Sequence, residues 1–209
     1  MDSIETKIKN LLQQKRAFST AEANEYGISR QMLAHYCRQG KIERICRGIY
    51  SPVQTDIVQY PELEVLAQKK IDFVVCLISA LQMHEFTTQL ANSLWIAVKR
   101  GTHVPDIGFP LNCIYLTDSV YSYGIEEHKV NGYKIKVYSP AKTVADCFKF
   151  RNKIGLDVAL EALKEGHRSK LFTATELYNA AKVCHVANII RPYEELIQSY
   201  AAAGVLSFR

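Results

Sequence analysis

The apolar positions of the first fifty residues repeat at helical spacing and then switch to a strand-like pattern. Ile4, Ile8, Leu11 and Leu12 recur every three to four residues with lysines on the opposite face, which predicts a helix over 3–16. Phe18 follows in a short extended link. Ser19 and Thr20 then offer an N-cap, with Glu22 in the first turn, for a short helix over 21–26 that Gly27 ends. Ile28 enters a tight turn, Ser29 caps a third helix over 30–38, and Gly40 closes it. Lys41 to Tyr50 is β-branched on both sides of a central Arg47-Gly48 and predicts a hairpin. Helix, short helix, tight turn, helix and hairpin, in this order, make a winged helix-turn-helix over residues 1–52, with the hairpin as wing.

Residues 53–60 mix polar positions with no long apolar run and lead into Pro61, as a linker does. A second domain is expected over 61–209. Helical patterns cover 61–70 and 76–86, and strand patterns cover 93–99 and 112–117. Asn131-Gly132 between strands at 126–130 and 133–139 is a two-residue hairpin signal. Pro140 opens a helix over 141–150, and periodicity gives further helices over 156–165, 175–183 and 188–203. The expected fold class is α+β: a winged helix-turn-helix, then a mixed domain with a small antiparallel sheet and C-terminal helices.

Charge sharpens this division. The chain of 209 residues carries a net charge of +5, with 48% hydrophobic and 22% charged residues, an ordinary balance for a globular protein. Residues 1–50 hold nine Lys or Arg against five Asp or Glu, a balance of +4, whereas the remainder carries seventeen against sixteen. A small basic module beside a near-neutral body points to a polyanion partner. No apolar run reaches the roughly 20 residues of a membrane span, and the N-terminus lacks the pattern of a secretory signal, so the cytoplasm is the expected compartment. The six cysteines form no Cys-x-x-Cys pair and are expected as buried, reduced thiols.

The helix over 30–38 carries the candidate chemistry. On a helical wheel Leu33, Tyr36 and Cys37 face inward, with Met32 beside them. Arg30, Ala34 and Arg38 form one outward row, and Gln31 and His35 the next. Arg grips guanine with two hydrogen bonds and Gln does the same to adenine, while Ala34 keeps the helix close to the bases. Arg30, Gln31 and Ala34 are therefore the expected base readers, with Arg38 on phosphate. Ser19, Thr20 and Ser29 lie at helix N-termini, where backbone N–H groups hold phosphates. Lys41, Arg44 and Arg47 supply the wing with charge. Tyr50 is expected to close the hairpin core. A winged helix that docks protein is the alternative, and five cations against Glu43 over this stretch weigh against it.

The succession Thr20-Ala21-Glu22-Ala23, Gly27-Ile28-Ser29-Arg30, Leu33, Arg38-Gln39-Gly40-Lys41-Ile42 and Arg47-Gly48-Ile49-Tyr50 resembles the N-terminal domain of AbiEi-type antitoxins. Those proteins are transcriptional regulators of type IV toxin–antitoxin systems. The resemblance continues through Ile78-Ser79-Ala80-Leu81, Leu94-Trp95-Ile96-Ala97 and the run from Tyr138 to Asp146, covering about the first 165 residues. It implies a non-enzymatic, cofactor-free protein that represses its own operon at inverted repeats in double-stranded DNA. It also implies that the chain counteracts a nucleotidyltransferase toxin without a stable complex, the C-terminal domain contributing to that role.

Two other functions compete with this one. A stand-alone winged-helix regulator with a partner- or ligand-sensing C-terminal domain has the same DNA surface. A Mg-dependent nuclease is the other, since Pro105-Asp106 followed by Glu127-His128-Lys129 fits a loose Pro-Asp…Glu-x-Lys pattern, two carboxylates for the metal and a lysine for the attacking water. Asp106 lies in a Gly/Pro-containing segment, and the pattern is short enough to arise by chance. His84-Glu85 has no second His at zincin spacing, so His84 is expected on a helix surface or partly buried with a partner. Asp146 is expected either in an i, i+4 pair with Lys142 or in a structural hydrogen bond, and Trp95 to pack in strand core. No metal ligands and no catalytic residues are expected.

Overall fold

The computed structural model describes residues 11, 17–53, 60–88 and 91–202. The helix expected over 3–16 lies outside the described residues except for Leu11, which is buried. By contacts the chain falls into two compact units. One comprises residues 1–72, 103–109 and 129–135; the other comprises 73–102, 110–128 and 136–209.

The first unit begins with β1 (Phe18–Ser19), α1 (Thr20–Glu25) and α2 (Arg30–Arg38), followed by the strands β2 (Ile42–Cys46) and β3 (Ile49–Pro52). Ser19 Oγ accepts the Glu22 N–H at 3.1 Å and Ser29 Oγ accepts the Met32 N–H at 3.3 Å, so each helix starts at its hydroxyl cap. Gly27 takes φ +75° behind α1, where the Gly27 and Ile28 amides close onto Asn24 and Ala23 carbonyls. That reversal drops Ile28 into the core with Leu11, Phe18, Ala23, Leu33, Tyr36 and Ile42. Complete burial of a side chain such as Leu33 contributes about 2 kcal/mol.

The three strands form an antiparallel sheet in the order β1-β3-β2. Phe18 lies opposite Tyr50, with ring centroids 6.1 Å apart, and so Tyr50 does close the hairpin core. β2 carries a register shift between Arg44 and Cys46. Helix α3 (Pro61–Gln68) also belongs to this unit. The reason is polar as well as apolar: the Ala17 N–H donates to the buried Glu64 carboxylate at 2.7 Å. Tyr133 Oη accepts from Gln68 Nε2 at 2.7 Å and donates to the Ala17 carbonyl at 3.0 Å. The contact division thus continues to Asp72, beyond the boundary expected over 53–60.

The second unit is built on a five-stranded sheet in the order β6-β5-β4-β8-β7, comprising β4 (Val74–Val75), β5 (Leu94–Lys99), β6 (Leu111–Leu116), β7 (Ile125–Val130) and β8 (Tyr133–Tyr138). The outer part of the β7–β8 hairpin, 129–135, groups with the first unit. Antiparallel pairing, expected throughout, holds for β4–β5, whereas β5–β6 and β4–β8 are parallel, so this sheet is mixed. Parallel partners need long crossovers, and residues 100–110 supply one between β5 and β6. Asn131 and Gly132 both have positive φ, 49° and 83°, the requirement of the two-residue turn read from the sequence.

Around the sheet lie α4 (Leu77–Met83), α5 (Asp118–Tyr121), α6 (Pro140–Lys149), α7 (Arg151–Ile154), α8 (Leu156–Arg168), α9 (Ala174–Val183) and α10 (Ala187–Ala202). Every residue of α6 from Ala141 to Phe148 is buried. Trp95 is half-buried against this core, as strand packing predicted. Cys76, Cys147 and Cys184 are buried, while Cys37, Cys46 and Cys113 are half-buried, a departure from the burial expected for all six that follows from their places on helix and strand margins. Among the described residues no helix is long and apolar enough to cross a membrane.

Candidate nucleic-acid interface

The outer face of α2 is assembled by its inner one. Leu33 and Tyr36 are buried and Met32 and Cys37 half-buried, so Arg30, Gln31, Ala34, His35 and Arg38 are all turned to solvent. That division matches the helical wheel residue for residue. Ser29 and the two rows therefore stand together on one exposed surface. Arg38 Nε donates to the Ala34 carbonyl at 3.4 Å, and His35 Nε2 lies 2.9 Å from Gln39 Nε2. The distal half of the helix thus holds its polar groups against itself, while Arg30 and Gln31 project from the first turn.

The hairpin carries the remaining cations. Lys41 Nζ lies 5.4 Å from the centroid of the Tyr36 ring, a cation–π contact that directs it along α2. Arg44 Nε donates to the Cys46 carbonyl at 3.3 Å across the irregular register, and Arg47 is exposed at the tip. Arg30, Arg38, Lys41, Arg44 and Arg47 face solvent with Glu43 as the one acid among residues 29–50. Burial pushes the Cys37 thiol up, opposed by the Arg44 charge, so this cysteine adds no negative charge near the cations.

Two of the residues placed at helix starts have duties inside the fold. Ser19 is only partly exposed and caps α1. Thr20 turns its hydroxyl to the Gly48 carbonyl at 3.2 Å, while its backbone N–H donates to the same oxygen at 2.9 Å. Thr20 thus fastens the tip of the hairpin to the first turn of α1, a role that no local pattern of the sequence signals. Ser29 caps α2 and remains exposed.

The loop before β6 also belongs to this unit. A Cβ on Gly108, at φ +77°, would meet the Ile45 carbonyl at 2.7 Å, so only glycine lets this loop lie so close to β2. Asp106, the first carboxylate of the nuclease pattern, accepts the Gly108 N–H at 2.8 Å and so closes its own turn. Glu127 and Lys129 are exposed on β7.

The run from Tyr138 to Asp146, in the second unit, is structural in its detail. Ser139 caps α6, and Thr143 Oγ1 donates to the Tyr138 carbonyl at 3.1 Å. Lys142 Nζ donates to Asp146 Oδ2 at 2.5 Å, with both side chains fully buried, and lies 4.0 Å from the centroid of the Tyr138 ring. Burial and the Asp146 carboxylate push the Cys184 thiol up to about 12, so its S–H donates to Asp146 Oδ1 at 3.2 Å. A Cβ on Gly124 would sit 2.8 Å from Lys142 Cβ, so the strand entry passes directly over this pair.

Among the described residues one group of three side chains has ligand atoms close enough for a metal ion: His84, Glu126 and His128. No second histidine stands at helical spacing from His84, because its partners come from a strand more than forty residues on. The i, i+2 spacing of Glu126 and His128 is the local signal, since it puts both on one face of β7.

Residues 7–53 match the family model described as transcriptional regulator, AbiEi antitoxin. The matched segment holds both helices of the helix-turn-helix order and the hairpin, and it ends before the Ile78–Leu81, Leu94–Ala97 and Tyr138–Asp146 stretches. No protein of curated function matches the chain. Over residues 7–53 the chain is similar to the AbiEi antitoxins, a family of transcriptional regulators.

Proposed function

We propose that the chain is a DNA-binding antitoxin that represses its own operon and counteracts a nucleotidyltransferase toxin. The observation that carries the reading is the exposed row on α2, Arg30, Gln31, Ala34, His35 and Arg38, within a segment similar to AbiEi regulators. In this reading the two domains divide the work: the winged helix over residues 1–52 binds the operator, and the later domain acts in antitoxicity. The first turn of α2 enters the major groove, where Arg30 and Gln31 meet base edges and Ala34 permits close approach. Arg38, Lys41, Arg44 and Arg47 meet phosphates, and the α2 N-terminus capped by Ser29 adds backbone N–H donors. Ser19 and Thr20 contribute by fixing α1 and the hairpin tip. No catalytic step is assigned to any residue. The toxin is counteracted without a stable complex, through regulation and the C-terminal domain, in the cytoplasm.

The test has two parts. Purified protein is titrated onto duplex DNA from upstream of its own operon at several salt concentrations, with footprinting for paired half-sites. Binding to a protected inverted repeat, weakening linearly in log–log form with salt, is expected. Where a neighbouring gene encodes a nucleotidyltransferase toxin, co-expression with it should restore growth. Random and upstream DNA bound equally, together with no rescue of growth, contradicts the proposal.

A further inference from the structure

His84 sits at the C-terminal end of α4, and Glu126 and His128 alternate along β7, so the three come from two separate elements of one unit. Their ligand atoms all lie within 4.8 Å of one another. The two imidazole rings are 5.3 Å apart between centroids and inclined at 79°, and His128 Nε2 stands 3.7 Å from Glu126 Oε2. The second imidazole nitrogen of His84 is already committed: its Nε2 lies 2.7 Å from the Tyr138 carbonyl oxygen. A carbonyl only accepts, so Nε2 carries the hydrogen and the ring lone pair is left on Nδ1. Histidines that bind metals are usually held in this way, with the far nitrogen donating to a carbonyl or carboxylate that fixes tautomer and orientation.

From this geometry we propose that His84, Glu126 and His128 bind one zinc ion. Two imidazoles and a carboxylate suit zinc, whereas magnesium and calcium prefer all-oxygen shells. Tetrahedral zinc sets its ligand atoms roughly 3.4 Å apart, so atoms now within 4.8 Å of one another close in by at most about 1.4 Å. Glu126 is exposed and His128 half-buried, which leaves the two strand residues room to turn toward the anchored His84. Three protein ligands leave a fourth position for water or another oxygen donor. Glu126 also lines a cavity of about 260 Å³ with Tyr123, Ser139 and Glu176, which gives such a donor space. The ion would tie the end of α4 to β7.

The experiment uses the full chain without a polyhistidine tag, stripped of metal by chelation and titrated with Zn²⁺ by calorimetry, with melting temperature and the visible spectrum of the Co²⁺ form read in parallel. One equivalent per chain, a rise in melting temperature and the ligand-field bands of tetrahedral cobalt are expected. E126Q and H128Q change partly or fully solvent-facing residues and should each weaken binding by roughly tenfold or more, since loss of a supporting partner alone costs that much. H103Q, at an exposed histidine in the other unit, should leave binding intact. No stoichiometric binding overturns the proposal. So does binding that E126Q and H128Q leave unchanged, or a Co²⁺ spectrum dominated by thiolate charge transfer, which places the metal on cysteine.

Discussion

Thr20 holds the Gly48 carbonyl through two donors at once, its own amide at 2.9 Å and its hydroxyl at 3.2 Å. The pairing fixes the hairpin tip against the first turn of α1, so the position of Arg47 depends on it. Thr20→Val keeps the shape and removes one donor. A loss of about 1 kcal/mol in stability is expected. If the tip meets backbone rather than bases, as proposed, affinity for specific and random duplexes should fall together. Denaturant unfolding and anisotropy titrations check the two halves; full affinity in a destabilised variant would mean that the hairpin tip makes no DNA contact.

The buried Lys142–Asp146 pair gives a second prediction. Removing one partner leaves the other charge buried and uncompensated, which costs about 3–5 kcal/mol. Asp146→Ala should therefore be severely destabilised. The double variant Lys142→Met, Asp146→Leu removes both charges and should recover much of that loss. Equal instability of the single and double variants in urea would show that the pair's hydrogen bonds to its surroundings, including that from Cys184, matter more than its charge.

Glu176 closes the capping box of α9, accepting from the Thr173 N–H at 2.7 Å and the Thr173 hydroxyl at 2.9 Å. The backbone bond first, and then the hydroxyl bond, hold its carboxyl below the usual carboxylate value. A depressed folded value means that the ionised group stabilises the fold above its unfolded pKa, near 4.5, and that this contribution disappears as pH falls through the folded value. E176Q retains the box without the charge. The melting-temperature difference between wild type and E176Q should be largest at neutral pH and shrink below about pH 4.5. A difference that stays constant across that range speaks against the charge as the source.

The order of elements over residues 17–53 was legible in the sequence because each boundary there has local chemistry. Ser19 and Ser29 cap, Gly27 and Gly40 stop, and a 3.6-residue period puts Leu33 and Tyr36 inside and Arg30 and Gln31 outside. Asn131-Gly132 and Pro140 were legible for the same reason. What escaped reading depends on residues far apart. The two-residue strand β4 carries no period and exists through its partners Ala97, Ile96 and Val137. The place of α3 follows from the Ala17–Glu64 bond across 47 residues. The parallel pairing of β5 with β6 is likewise a tertiary choice, since either strand alone reads equally well in both directions. Thr20 shows the limit within the site: a cap-like residue by sequence, it is a tie to Gly48 in the fold.

The central claim is that α2 reads bases while the hairpin grips the backbone, and one comparison tests it most directly. Dissociation constants for the operator and for a random duplex of equal length are measured for wild type, for R30A/Q31A and for R44A/R47A at one salt concentration. The first variant should lose its preference for the operator, each base contact accounting for about 1–3 kcal/mol of discrimination, while random binding changes little. The second should weaken both duplexes by similar factors. Equal losses on both duplexes in R30A/Q31A would contradict the assignment of α2 as the reader.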